Sequence, residues 1–334
     1  MKNFEKLFNQ FLTCVDTLRT ALNVSYAEAL TETFDNLETG KIKVEMGAPD
    51  KETVAKLSTM YGELNYEKIP RKDKVLIFNY LTLKAITEDR RNVNQMPTPP
   101  VLATATALVM QKLLDMNKEL EIVDPALGTG SLLYSVVNQL KSENHSKNNF
   151  KLAGIDNDED MLNIADIGAH LNDLKIDLYC QDAMSSWMIQ PADAIISDLP
   201  IGYYPLDNNS KQFDLKNEKG HSFAHFLFVE QIVKNLKAGA YAFLLVPTGM
   251  LSGKDRSKFM PWLTKKVYLN AIIDLPDDMF RNKFNQKSLL VLQNHGENAQ
   301  ARDVFLTKLG SLKKEDSLVE FNLKLNEWYT NLDY

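Results

Sequence analysis

The stretch Ile122-Val123-Asp124-Pro125-Ala126-Leu127-Gly128-Thr129-Gly130-Ser131 decides the fold. The run Leu120–Val123, broken only by Glu121, reads as a buried parallel strand. Asp124 and Pro125 end it, because proline has no N–H to give to a ladder. Gly128 and Gly130 let the backbone turn tightly and approach a ligand with no Cβ in the way. From Ser131 onward, Leu132, Leu133, Val136, Val137 and Leu140 recur at helical spacing. Strand, glycine loop and helix in that order form the corner where open α/β sheets bind ligands. A nicotinamide fingerprint needs a third glycine where Leu133 stands. A phosphate loop needs a Gly-Lys-Ser/Thr sequence, and none follows.

Working outward, Leu152–Ile155 reads as a second strand ending in Asp156 and Asn157. An acid at that point suits a ribose hydroxyl pair. Ile176–Tyr179 is a third strand, ending in Gln181-Asp182-Ala183. Ala192–Ser197 is a fourth, ending in Asp198-Leu199-Pro200-Ile201-Gly202-Tyr203-Tyr204. Successive strands that deliver polar residues at their C-terminal ends outline the crevice of a doubly wound sheet. Asp160–Leu171 and Ser222–Leu236 read as further crossover helices.

Four features together resemble a class I S-adenosylmethionine-dependent methyltransferase: Asp124-Pro125-x-x-Gly128-Thr129-Gly130, the acid at Asp156, Asp182-Ala183, and Asp198-Leu199-Pro200. Their order resembles the amino-methyltransferase branch. Thr98-Pro99, within Met96–Pro100, is similar to a Thr-Pro segment that precedes the first motif of N6-adenine DNA methylases. Leu236–Met250 and Ile272–Leu292 resemble the later strands of type I restriction-modification modification subunits. The resemblance covers residues 90–310 and implies an α/β, Rossmann-like class I methyltransferase with a mostly parallel sheet. It implies S-adenosyl-L-methionine as cofactor and an exocyclic amino group, N6 of adenine in DNA, as acceptor.

The resemblance also implies roles. Asp156, with Asn157 beside it, would take the ribose hydroxyls, since a carboxylate accepts two hydrogen bonds. Asp182 would hold the adenine amino group, with Ala183 against the ring. Asp124, followed by Pro125, would lie near the methionine amino group. Gly128, Thr129 and Gly130 would let the backbone pass the methionine and ribose. Thr98 and Pro99 would approach the methionine end, and Asp198 and Leu199 would close the cofactor site. At the reacting centre, the Asp198 carboxylate and the Pro200 carbonyl would accept the hydrogens of the target amine. Two positions depart from the family motif: Leu199 replaces its first proline and Ile201 its aromatic. That aromatic stacks on the target base, so the role would pass to Tyr203 or Tyr204. The departure weighs on the substrate, not on the cofactor.

The 334 residues, 44% hydrophobic, suit one large domain and a smaller one. Residues 1–90 read as a helical domain, residues 91–310 as the methyltransferase domain and residues 311–334 as a tail packed on the core. Phe4, Leu7, Phe8, Phe11, Leu12, Val15, Leu18 and Leu22 form an amphipathic stripe. Ser25 and Glu28 make a capping-box pattern for the next helix, which Gly40 ends. Asp50 caps a third helix and Pro70 opens a fourth. This region is expected to pack on the catalytic domain or to form a homodimer. Glu88–Gln95 reads as a charged linker, and Leu206–Gly220 as a long polar loop of lid or substrate type.

No apolar run reaches the ~18–20 residues that span a bilayer, and no leader pattern opens the chain, so a cytoplasmic protein is expected. Two cysteines, Cys14 and Cys180, outline no disulfide framework. His221 and His225 lack the carboxylate or cysteine pattern of a metal site, so none is expected. A net charge of −6 is unlike a protein that grips duplex DNA alone. The resemblance implies nucleic acid, DNA ahead of RNA, as a partner, and the acidic charge adds the expectation of help from a second subunit. Lys254, Arg256, Lys258, Lys265 and Lys266 form a basic stretch that reads as a solvated helix or a phosphate-contacting edge, which Arg281 and Lys283 could join. Two other functions stay open. One is methylation of RNA or of a protein glutamine amide; the other is a cofactor-binding regulatory or scaffold role with little catalysis.

Overall fold

The computed structural model describes residues 2–143, 149–252, 256–280, 286–297, 299–311, 314 and 316–331; Lys254, Arg281 and Lys283 of the basic stretch lie outside the described residues. The helices are α1 (Lys2–Leu22), α2 (Tyr26–Thr39), α3 (Lys51–Leu64), α4 (Arg71–Glu88), α5 (Pro100–Leu113), α6 (Ser131–Glu143), α7 (Glu159–Leu171), α8 (Asp207–Ser210), α9 (Ala224–Lys234), α10 (Thr248–Ser252), α11 (Arg256–Lys266) and α12 (Ser317–Thr330). The strands are β1 (Leu120–Asp124), β2 (Phe150–Asp156), β3 (Ile176–Cys180), β4 (Ala192–Asp198), β5 (Leu236–Pro247), β6 (Val267–Asp274), β7 (Lys287–Asn294) and β8 (Phe305–Lys308). Contacts divide the chain into two compact units. One holds Met1–Pro97, Gly128–Gly130 and Asp158–Lys175, and the other Thr98–Leu127, Ser131–Asn157 and Ile176–Tyr334.

In the first unit, local signals set the helix ends. Ser25 Oγ accepts the Glu28 N–H at 3.1 Å, and Glu28 accepts the Ser25 N–H at 2.8 Å, a complete capping box. Gly40 ends α2 at φ +66°, and Asp50 caps α3 through the Thr53 N–H. The stripe of α1 buries Phe11, Val15 and Leu18. Phe11 stacks on Phe34 at 5.5 Å, and Phe34 meets Phe78 edge-on at 4.9 Å. Met161, Ile164, Ile167 and Leu171 of α7 belong to the same core. The segment read as a linker is tied down. Asp89 accepts the Tyr26 and Ala27 N–H groups at the start of α2, and Arg91 pairs with Asp158 and Asp160.

The second unit is built on an eight-stranded sheet in the order β3-β2-β1-β4-β5-β7-β6-β8. Pairing is parallel from β3 to β5; β7 then runs antiparallel to both β5 and β6. The N-terminal end of β7 therefore lies at the edge where the parallel strands end. Asp198 is opposite Leu245, and Lys287 is opposite Pro247. Phe243, Leu244, Val246, Leu290 and Leu292 are fully buried, as a strand covered on both faces requires. The region read as a polar loop is anchored: α8 occupies its start, Phe213 and Leu215 are buried, and Glu230 accepts the Leu215 N–H at 3.0 Å. In the tail, Trp328 of α12 stacks on Phe305 at 5.3 Å.

Candidate active site

The strand-end acids are held in different ways. Asp124, 1% exposed, closes β1. Its Oδ1 accepts the Ser197 hydroxyl at 2.7 Å and the Ala126 N–H at 3.0 Å. Burial pushes its carboxyl up to about 7; those two donors oppose the rise, and the charges of Asp198 and Asp156 add to it. Pro125 is buried beside it. Asp156 closes β2 half-exposed, its carbonyl accepts the Gln181 N–H at 3.0 Å, and Asn157 is exposed. Asp182 accepts the Met184 N–H at 2.9 Å, Asn209 Nδ2 at 3.2 Å and the Tyr204 hydroxyl. Ala183 is buried, and its carbonyl accepts the Trp187 ring N–H at 2.8 Å.

Asp198 ends β4 with both oxygens engaged. Oδ2 accepts the Thr98 hydroxyl at 2.9 Å, and Oδ1 pairs with the Lys287 ammonium. Thr98 is itself fixed by its N–H bond to Ser131 Oγ at 2.8 Å. Pro99 precedes α5 and is exposed. Leu199 is fully buried and donates its N–H to the Leu245 carbonyl at 3.0 Å. Its side chain belongs to the core, so only its backbone faces the strand end. A proline here would lack that N–H. Pro200 and Ile201 are half-buried.

The two tyrosines diverge. Tyr203 is 61% exposed and stacks on Phe223 at 4.6 Å with 19° between the rings. Phe223 in turn stacks on His225 at 5.4 Å. Tyr204 is buried, and its hydroxyl donates to Asp182. Gly128 and Gly130 take φ of +53° and +73°, and a Cβ on Gly128 would meet nothing within 4 Å. Thr129 between them is buried. His221 bonds Asp207 at 2.9 Å. Burial pushes the His225 imidazole down to about 4, and its Nδ1 has no hydrogen-bond partner among the described residues. No group of three metal-binding side chains occurs among the described residues. Sequence reasoning missed Ser197, Phe223 and Lys287. A polar residue inside the apolar run Ala194-Ile195-Ile196-Ser197 was the available signal for the first.

A family model for N-6 DNA methylases matches residues 77–330. An uncharacterized protein of Bacillus subtilis (strain 168), YtxK, is 34% identical over 317 residues, 93% of each chain. A crystal structure from Listeria monocytogenes, provisionally described as a class I S-adenosylmethionine-dependent methyltransferase, matches with a TM-score of 0.87 at 31% identity, over 98% of this chain and 99% of that one. The methyltransferase subunit of a type I restriction-modification system from Streptococcus thermophilus shares the fold at a TM-score of 0.66 and 16% identity, over 96% of this chain and 73% of that one. With the sheet order and the strand-end motifs above, these matches identify the chain as an S-adenosylmethionine-dependent methyltransferase that belongs to the N-6 DNA methylase family.

Proposed function

We propose that this methyltransferase methylates the exocyclic N6 amino group of adenine in DNA, with Asp198 as the acceptor of the amine's hydrogen. The observation that carries the reading is the Asp198 carboxylate, presented at the end of β4 beside Thr98 and followed by Pro200.

The donor set fits the cofactor. Asp156 is a half-exposed carboxylate for a ribose diol. Asp124 is a buried carboxylate for an ammonium group. S-adenosylmethionine supplies an electrophilic methyl group on a sulfonium. The chain's own task is then to hold an amine in line with it, which is chiefly a matter of positioning. An aromatic amine has a delocalised lone pair. Hydrogen bonds from its N–H groups to Asp198 and to the Pro200 carbonyl draw the nitrogen toward tetrahedral geometry and share the positive charge that develops. Tyr203, exposed and backed by Phe223, supplies the stacking face that Ile201 does not.

The test is methyl transfer from labelled cofactor to adenine-containing DNA, read as N6-methyladenine by mass spectrometry. Asp198→Ala is expected to lower kcat by about 10²-fold or more, the scale of losing one oriented hydrogen-bonding group, with cofactor affinity little changed. Turnover that survives Asp198→Ala overturns the assignment. A second reading, an RNA or protein-glutamine acceptor, is favoured by the net charge of −6. Label appearing in RNA or protein and not in DNA selects it. We also propose self-association through the N-terminal helices, where α4 exposes Leu76, Tyr80 and Leu83 along one stripe. Sedimentation equilibrium showing only monomer contradicts that part.

A further inference from the structure

Lys287 is a charged residue beside Asp198 that the motif reading leaves out. It opens β7, where it is paired with Pro247 of β5, and its carbonyl accepts the Leu275 N–H at 3.2 Å. The sheet fixes its backbone from both sides. Its ammonium reaches Asp198 Oδ1, and Thr98 holds Oδ2. The two charged side chains are 16% and 21% exposed, largely withdrawn from water yet reachable.

This arrangement opposes the reaction as it stands. An incoming amine must share Asp198 with the Lys287 ammonium on one oxygen and the Thr98 hydroxyl on the other. An ammonium left on the carboxylate weakens it as an acceptor. It also repels the positive charge that grows on the methylated nitrogen, in a site where water screens little. The amine gains its place when the ammonium finds another anion. Lysine is a point charge on a flexible stem and a common phosphate binder.

We propose that Lys287 determines acceptor specificity by exchanging Asp198 for a phosphate of the acceptor. Amines carried by a nucleotide are then taken, and the same amines on a neutral nucleoside are not. The inference rests on the reading of Asp198 as the acceptor of the amine's hydrogen. A glutamine amide brings no neighbouring phosphate and has nothing to offer Lys287 in exchange.

The test reads binding apart from turnover. The full chain, saturated with S-adenosylhomocysteine, is titrated calorimetrically with adenosine, with adenosine 5′-monophosphate and with a short single-stranded DNA holding one adenine. The two phosphate-bearing acceptors are expected to bind about tenfold more tightly than adenosine, the scale of one charge-assisted contact, and Lys287→Met to bring all three within about twofold. Lys287→Arg keeps the preference. Tighter binding of the oligonucleotide than of the mononucleotide identifies a strand, and the reverse a free nucleotide. Thermal melting checks the fold, and Lys287→Gln replaces the methionine variant if that one melts early. Equal binding of adenosine and its monophosphate to the wild type, no binding of either, or a preference that survives Lys287→Met overturns the proposal. Survival of turnover in Asp198→Ala instead overturns the Asp198 reading, so the two failures are told apart.

Discussion

Ser197 donates its hydroxyl hydrogen to Oδ1 of Asp124 across 2.7 Å, with both side chains shut away from solvent. The strand that presents Asp198 thus also anchors the acid at the end of β1. The hydrogen bond opposes burial without cancelling it, and the Asp124 carboxyl stays up at about 7. In the unfolded chain the same group ionises near 3.8. Below that value both states hold the proton. Between the two values only the folded state holds it, so the stability this group contributes is lost as pH rises toward and through about 7. Asp124→Asn, without ligand, is expected to match the wild type at pH about 4 and to exceed it at pH about 8, by at most on the order of 4 kcal/mol. Urea melts at the two pH values check this. A wild type more stable than the variant at the higher pH contradicts it.

Tyr203 offers a face without contributing to the core, being 61% exposed. Tyr203→Ala is expected to weaken capture of an adenine-bearing acceptor roughly 10- to 100-fold in kcat/KM, the scale of one base–aromatic stack. Tyr203→Phe should stay near wild type, and neither change should move the melting temperature appreciably. Equal kcat/KM for the alanine and phenylalanine variants would remove Tyr203 from the acceptor site.

Gly154 shows why one strand position admits no side chain. A Cβ there would run into Leu127 Cδ2 and sit 3.0 Å from its Cγ. Leu127 is buried with its N–H bonded to the Ile155 carbonyl at 3.0 Å, so any relief has to come from turning its side chain within the core. Gly154→Ala is expected to cost about 1–3 kcal/mol by overpacking. Adding Leu127→Ala should return part of that loss. An additive double mutant in a urea-melt cycle would show that the two residues do not meet.

The strand, glycine loop and helix from residue 120 onward were legible because each is a local signal: an apolar run, a proline stop, glycines, then helical spacing. The capping box of Ser25 and Glu28 was legible for the same reason, since both partners lie within one turn. Lys287 was not. Its approach to Asp198 depends on β7 inserting antiparallel between β5 and β6, a long-range pairing that no local pattern carries. Neighbouring tyrosines also looked alike in the sequence. The bridge from Tyr203 to Phe223 and the 2.8 Å bond from the Tyr204 N–H to Ser222 set their register, turning one outward and the other onto Asp182. The helix α7 read as a crossover of the sheet and does connect the parallel neighbours β2 and β3, but the core that its apolar residues join, that of the helical unit, was not legible. An apolar face says that a helix packs, not against which neighbour.

Calorimetric titration with S-adenosylmethionine, on the wild type and on Asp156→Ala, is the direct test of cofactor binding at the strand ends. The wild type is expected to bind in the micromolar range, about −8 kcal/mol. Asp156→Ala is expected to bind at least about tenfold more weakly, because hydrogen bonds to a charged group contribute ~1.5–3 kcal/mol each. A folded wild type that does not bind, or a variant with an unchanged dissociation constant, would contradict the placement of the cofactor on these acids.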